Sequence, residues 1–255
     1  MTHAVVPRVV LRATGADARP YLHSQLSNDI SSLPVWSSCH SFLLEPTGKV
    51  VALLRVTGVD DGSFLIDFDD RPGLADVVTA RLNRFRIRTD VVFEPTDLVC
   101  VAFRGETPPA ELAARGTVVP AWWGGDLDLL VGGPDDWSRD DSSVERARLE
   151  AGWPAMGSEI VPGETLPSAT GVVSVAVSFT KGCYPGQELV ERMDSRGATA
   201  PRTLRRVRVD PGTRPGADVT VDGRTVGVIT SVVGDLGLAY VDRSVDVGVP
   251  VSPPE

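Results

Sequence analysis

A thiol set beside an ammonium group is the most reactive pairing in this chain, at Lys181-Gly182-Cys183-Tyr184-Pro185-Gly186-Gln187-Glu188. Tyr184 to Gln187 fits a type II turn, because proline presets φ at the second position and glycine supplies positive φ at the third. Gln187 to Met193 can then run as about two turns of helix, with Glu188 and Arg192 spaced i,i+4 on one face. Asp194-Ser195-Arg196-Gly197 offers a glycine stop. Cys183 is then expected near a helix N-terminus and near the Lys181 ammonium, two features that lower a thiol pKa and favour the nucleophilic thiolate. The same residues also make an ordinary buried turn around a small apolar cysteine, and local pattern leaves both readings open.

Little else has the spacing of a reactive site. The three cysteines, Cys39, Cys100 and Cys183, are widely separated and contain no C-x-x-C pair. That is not a disulfide framework, and a reducing cytoplasm is the expected compartment. Cys39 and His40 are adjacent, but neighbours on a strand point to opposite faces, and no metal-ligand spacing occurs, so no metal site is expected. Trp122 and Trp123 precede Gly124-Gly125 and are candidates either for lining a pocket or for ordinary packing.

The balance of 25 Lys+Arg against 34 Asp+Glu gives −9. General nucleic-acid or anionic-membrane surfaces need clustered basic charge, so direct nucleic-acid and membrane binding are not expected. Two runs, Arg81 to Arg88 and Arg202 to Arg208, carry four arginines each and read first as solvated faces. No apolar stretch approaches the ~20 residues of a bilayer helix. Pro7 and Arg8 interrupt the N-terminal apolar run that a secretory signal needs.

The elements that must hold these residues suggest three units. Residues 1–95 read as α+β. They comprise a strand at 8–12, a helix at 17–26 capped by Asp17, a hairpin through Glu45-Pro46-Thr47-Gly48, a strand at 63–68 and a short one at 91–94. The clearest helix is 74–85, with Leu74, Val77, Val78, Arg81, Leu82 and Phe85 at helical spacing. Residues 96–200 form a looser α+β unit carrying the thiol motif, with strands at 98–103 and 127–131, helices at 110–115 and 144–150, and a Gly/Pro-rich connection over 157–171. Residues 201–255 are short β segments separated by Pro211-Gly212, Asp222-Gly223 and Gly234-Asp235, the pattern of a small closed or nearly closed barrel.

The octapeptide, with arginine at 192, resembles the K-G-C-Y-x-G-Q-E signature of the YgfZ family, the folate-binding relatives of the glycine-cleavage T protein. Leu26-Ser27-Asn28-Asp29-Ile30 is similar to that family's L-x-N-D segment, and Glu45-Pro46-Thr47-Gly48-Lys49 to its turn ending in G-K. Leu82 to Val91 matches its basic helix end. Arg148 to Pro154 resembles its R-x-x-x-G-x-P segment, followed by Glu164-Thr165-Leu166-Pro167. The resemblance spans nearly the whole chain. It implies a T-protein-like α+β multi-unit fold with a C-terminal β-barrel around a central folate pocket, tetrahydrofolate as cofactor, and iron–sulfur client or assembly proteins as partners, with any connection to tRNA modification indirect.

On that resemblance Cys183 is the reactive or cluster-contacting thiol and Lys181 its electrostatic partner. Asn28, Asp29, Tyr184, Gly186, Gln187, Glu188 and Arg192 are the candidate positions around the cofactor, with Glu188 and Arg192 read first as a structural pair. Two departures bear on activity. True aminomethyltransferases carry acidic residues just after the hairpin glycine, whereas Lys49-Val50-Val51-Ala52-Leu53 has no carboxylate. Nothing here corresponds to their Y-T-G-E-D-G segment. An apolar strand supplies no base to a folate nitrogen, so glycine-cleavage activity is not expected. A one-carbon transferase using another carboxylate, such as Asp29, and a non-catalytic scaffold remain the alternative readings.

Overall fold

The computed structural model describes residues 3–133, 141–195 and 200–253. In chain order the first part runs β1 (His3–Val6), β2 (Arg8–Thr14), α1 (Ala18–Gln25), β3 (Ser38–Leu44), β4 (Val50–Gly58), β5 (Phe64–Asp69), α2 (Leu74–Asn83) and β6 (Val92–Pro95). The middle part runs β7 (Leu98–Phe103), α3 (Ala110–Ala113), β8 (Gly116–Pro120), β9 (Leu127–Gly132), α4 (Asp141–Ala151), a 3-10 turn at Pro167–Ala169, α5 (Val173–Ala176) and α6 (Gln187–Ser195). The last part is all β: β10 (Arg202–Arg208), β11 (Asp218–Val221), β12 (Arg224–Val233), β13 (Leu236–Asp242) and β14 (Val249–Pro250).

These strands form three sheets with antiparallel pairing, ordered β3-β4-β5-β2-β6, β1-β7-β9-β8 and β11-β12-β13-β10-β14. β4 lies inside the first sheet and every one of its residues is buried, which is why it reads as a nearly continuous apolar run rather than an alternation. The first sheet and its helices enclose Leu22, Leu26, Phe42, Leu54, Phe64 and Phe68. The same cluster takes in Trp153, Ile160, Val172, Ala176, Tyr184 and Val190, so the segment carrying the thiol motif packs on the first sheet. Conversely, β1 pairs with β7 from Val6↔Cys100 to His3↔Phe103 and belongs to the second sheet. Contacts across residue 95 thus run in both directions.

The expected small barrel is an open sheet. Among the described residues the edges β11 and β14 do not pair with each other, and β14, only two residues long, is too short to close a ring. Two helical expectations also change. Asp17 makes no side-chain cap on α1; its carboxylate accepts the Asp90 N–H at 2.8 Å and ties the helix start to the approach to β6. In α2 the buried face is Leu74, Val78, Arg81 and Leu82, while Val77 is exposed, as is Phe85 just beyond the helix end. Arg81 goes inward because its Nε and Nη2 donate to the Leu44 carbonyl at 3.2 and 3.0 Å, and Phe85 stays out beneath the guanidinium, 5.0 Å away. The segment after Gly171 forms the single turn α5.

A chain of buried charge joins the first two sheets. Arg55 on β4 donates to both oxygens of Asp67 at 2.9 Å and to Asp128 Oδ2 at 2.7 Å, and Arg104 takes Asp128 Oδ1 at 2.9 Å. Arg8 closes on Asp67 and Asp69. A second network joins α4 to the third sheet: Arg148 donates to Glu159 at 2.9 Å and to Ser231 Oγ at 2.9 Å, and Ser231 in turn donates to Glu159 at 2.7 Å.

Candidate functional site

The thiol loop leaves α5 at Val177 and is fastened at once, since the Ser178 N–H donates to the Ser27 carbonyl at 3.0 Å. Cys183 is exposed, whereas Cys39 is half-buried and Cys100 buried. After it the expected type II turn forms: Gly186 has φ 87° and the Gln187 N–H reaches the Tyr184 carbonyl at 3.3 Å. Gln187 Oε1 accepts the Tyr184 N–H at 2.9 Å, closing the turn from the side-chain side. Gly186 lies against the β3–β4 turn, where an added Cβ would stand 2.5 Å from the Glu45 carbonyl oxygen. Gly48 mirrors it, with Leu189 Cβ 2.6 Å from where its own Cβ would be. Glu188 and Arg192 are both exposed on α6 and form no ion pair with each other among the described residues. The anticipated stop at Arg196-Gly197 lies outside the described residues.

Lys181 does not simply stand beside the thiol. Its Nζ donates to the carbonyls of His23 and Leu26, the latter at 2.5 Å, and thereby caps the C-terminal end of α1. Cations are favoured there because the last carbonyls of a helix lack intrahelical donors. The ammonium also lies 4.9 Å from the centre of the Tyr184 ring. Burial pulls Lys181 down to about 8, opposed by Asp29, Cys39 and Cys183 in that order. Tyr184 is buried with its hydroxyl unpaired, and burial pushes it up to about 12. Cys39 is pushed up to about 12 as well, chiefly by burial.

Asn28 and Asp29 are committed to the backbone. Asn28 Nδ2 donates to the His40 carbonyl at 2.8 Å and the Val175 carbonyl at 2.9 Å, stapling β3 to α5, and its Oδ1 accepts the Asp29 N–H. Asp29 accepts from the Ser31 N–H and hydroxyl at 2.9 and 2.6 Å and from the Ser32 hydroxyl at 2.7 Å. The serine donors, Ser31 first, hold its carboxyl well below the usual range. His23 lies 3.2 Å from Asp29, and its Nδ1 accepts the N–H groups of Ile30 and Ser31; burial, then Lys181, lowers its pKa. Around the thiol loop the structure thus gathers Lys181, His23, Asp29 and Cys39.

A separate cleft of about 500 Å3 opens where the three sheets approach one another. Its polar wall includes Arg8, Arg71, Arg104 and Arg148, with Asp69, Asp128 and Glu145, and its aromatic wall is Trp122 and Trp153. Trp153 is held by His40 at 4.5 Å and Trp123 at 5.1 Å between ring centres. Arg104 stacks 4.2 Å above Trp122, and its Nε is buried with no hydrogen-bond partner. None of Asn28, Asp29, Lys181, Cys183, Tyr184, Gly186, Gln187, Glu188 or Arg192 lines this cleft. Of the paired tryptophans, Trp122 lines it; Trp123 stands in a shallower hollow with Gly124 and Gly125. Among the described residues no group of three or more His, Cys, Asp or Glu side chains is placed to hold a metal ion.

Sequence reasoning missed His23, Arg8, Arg104 and the inward turn of Arg148. Arg8, Arg104 and Arg148 reach residues far away in the chain and His23 meets the loop after α1, so no regular local spacing marks them. The Arg148–Pro154 segment carried the one available signal, since it contains both Arg148 and Trp153.

The fold is that of an aminomethyltransferase T: the crystal structure of the glycine cleavage system aminomethyltransferase T from Bartonella henselae aligns with a TM-score of 0.73 at 18% identity, covering 94% of this chain and 78% of that one. No protein-family profile matches the chain. The mouse mitochondrial iron–sulfur cluster assembly factor IBA57 is 28% identical over 269 residues, 91% of this chain and 75% of that protein. The tRNA-modifying protein YgfZ of Klebsiella pneumoniae is 28% identical over 72% of this chain and 64% of that protein. These likenesses agree with the sequence resemblance: the chain is similar to IBA57 and YgfZ proteins over most of its length and has a T-protein-like fold.

Proposed function

We propose that this chain binds tetrahydrofolate in the inter-sheet cleft and supports the assembly or repair of iron–sulfur enzymes through Cys183. The observation that carries the thiol role is its accessibility. Of three cysteines, the exposed one stands in the K-G-C-Y-P-G-Q-E loop, and that loop is fixed at both ends by Lys181 and the Gly186 turn. The names of the relatives, an iron–sulfur cluster assembly factor and a tRNA-modifying protein, give the context. The cluster is cargo, and an acidic chain of net charge −9 favours an indirect connection to tRNA. No described helix is long and apolar enough to cross a membrane, and three unpaired thiols suit a cytoplasmic setting.

The cleft fits the cofactor. About 500 Å3 lies within the range of small-molecule sites. Trp122 and Trp153 offer faces for a flat heterocycle, and the unpaired Arg104 Nε offers a buried donor to a carbonyl or carboxylate. One-carbon transfer is less well served. Asp128 is clamped by Arg55 and Arg104, which lower its pKa against the effect of burial, and a clamped carboxylate is a poor base. The buried strand after Gly48 supplies no substitute. The test is complementation of a deletion strain. Cys183→Ala is expected to fold and fail to restore iron–sulfur enzyme activity; full rescue would remove the thiol from the function.

A further inference from the structure

The acidic surface of this chain is interrupted beside the thiol loop by a basic patch with apolar tips. After α2 the residues Arg84, Phe85, Arg86, Ile87 and Arg88 are all exposed, Ile87 at 77% and Phe85 at 42%. Arg84 and Arg81 hold Phe85 between them at 5.7 and 5.0 Å, and Arg86 donates to the Val91 carbonyl at 2.8 Å, so the loop is ordered rather than splayed. Among the described residues no carboxylate pairs with Arg84, Arg86 or Arg88. The other arginine run differs, for Arg202, Arg205 and Arg208 all meet aspartates.

The patch is joined to the thiol loop through the end of β3 and the turn after it. Gly186 abuts the Glu45 carbonyl and Leu44, and the Leu44 carbonyl accepts two bonds from Arg81, on which Phe85 is stacked. The thiol loop adds its own apolar tip in Phe179, 42% exposed.

We propose that Arg84–Arg88 is the docking surface for a protein partner presenting an acidic rim around an apolar pocket, which Ile87 enters. This rests on the reading of Cys183 as the thiol that meets an iron–sulfur partner, because the patch would seat that partner next to it. Arginines around an apolar tip are the composition of interface hot spots. A nucleic-acid backbone offers charge but no apolar pocket for an isoleucine. Unpaired arginines on an otherwise acidic protein also steer an acidic partner to this face.

The test replaces Ile87 with benzoylphenylalanine in the full-length protein, irradiates living cells and sequences the crosslinked peptide, with the same substitution at exposed Val249 as control. The expected adduct is a peptide from an acidic, apolar-pocketed face of another protein, absent at the control position. Its yield should fall about tenfold or more when Arg84→Glu and Arg88→Glu are added. An adduct chiefly to RNA, an adduct indifferent to charge reversal, or no adduct above the control each overturns the proposal. Repeating the crosslink in Cys183→Ala separates the two readings. An adduct there with full complementation removes the thiol role and leaves docking standing; failed complementation with no adduct at Ile87 does the reverse.

Discussion

Cys183 and its two companion cysteines differ most in access. Alkylation needs an exposed thiolate, and only Cys183 is exposed; Cys39 is half-buried and pushed up to about 12, and burial raises Cys100 as well. Iodoacetamide at neutral pH should therefore label Cys183 at least about tenfold faster than the others, as read by peptide mass spectrometry over time. Equal rates would mean that the loop is not presented as described. Lys181 makes a separate prediction. Burial lowers it to about 8 in the folded chain, below the ordinary lysine value of 10.5, so between those values the unfolded chain binds more protons than the folded one. Stability contributed at this site therefore rises with pH from about 8 to 10.5, the reverse of a lysine held by a carboxylate. Urea denaturation of wild type and Lys181→Met across that window should show the wild-type slope exceeding the variant's; parallel curves would refute it.

Among elements, the contact between the β3–β4 turn and the start of α6 carries the thiol loop, and two glycines make it possible. Gly186→Ala meets both an unfavourable φ of 87° and a carbonyl at 2.5 Å, and should cost about 2–4 kcal/mol by thermal or chemical denaturation. Gly182→Ala, four residues earlier, meets nothing within 4 Å and should be close to neutral. Equal effects at the two positions would mean the apposition is not what fixes the loop. This element was legible in sequence because its determinants are local: Pro185-Gly186 sets the turn, and Gln187 onward sets the helix. α2 was legible in extent but not in its facing. Its spacing put Val77 and Phe85 on the buried side, and the demand of the Leu44 carbonyl for a donor drew Arg81 inward instead. Asp17 likewise looked like a helix cap until Asp90, over seventy residues on, claimed its carboxylate. The octapeptide singled out the thiol that is exposed among the three cysteines, yet no spacing could show that Lys181 spends its ammonium on α1.

At the scale of the molecule, the thiol loop and the cleft are two candidate sites held in one frame. Arg55, buried inside β4, fixes Asp67 and Asp128 and so locks the first sheet to the second, while Arg148, Glu159 and Ser231 lock α4 to the third. Such pairs stabilise less than their count suggests, because desolvation offsets much of the attraction, but losing one partner costs about 3–5 kcal/mol. Their service is geometric: they place Arg8, Arg104 and Arg148 around one cavity although these residues come from separate sheets and a helix. Because no residue of the thiol loop lines that cavity, the two sites should be separable by mutation. Anaerobic calorimetric titration with tetrahydrofolate is expected to show saturable binding to wild type and equal affinity for Cys183→Ala. Arg104→Gln removes the unpaired buried donor while leaving Asp128 its bond to Arg55, and should weaken binding about tenfold or more. Loss of affinity in Cys183→Ala would instead put the cofactor at the thiol loop. Absence of binding to wild type would leave the cleft without its proposed occupant and move the chain toward a scaffold that acts through its surface alone.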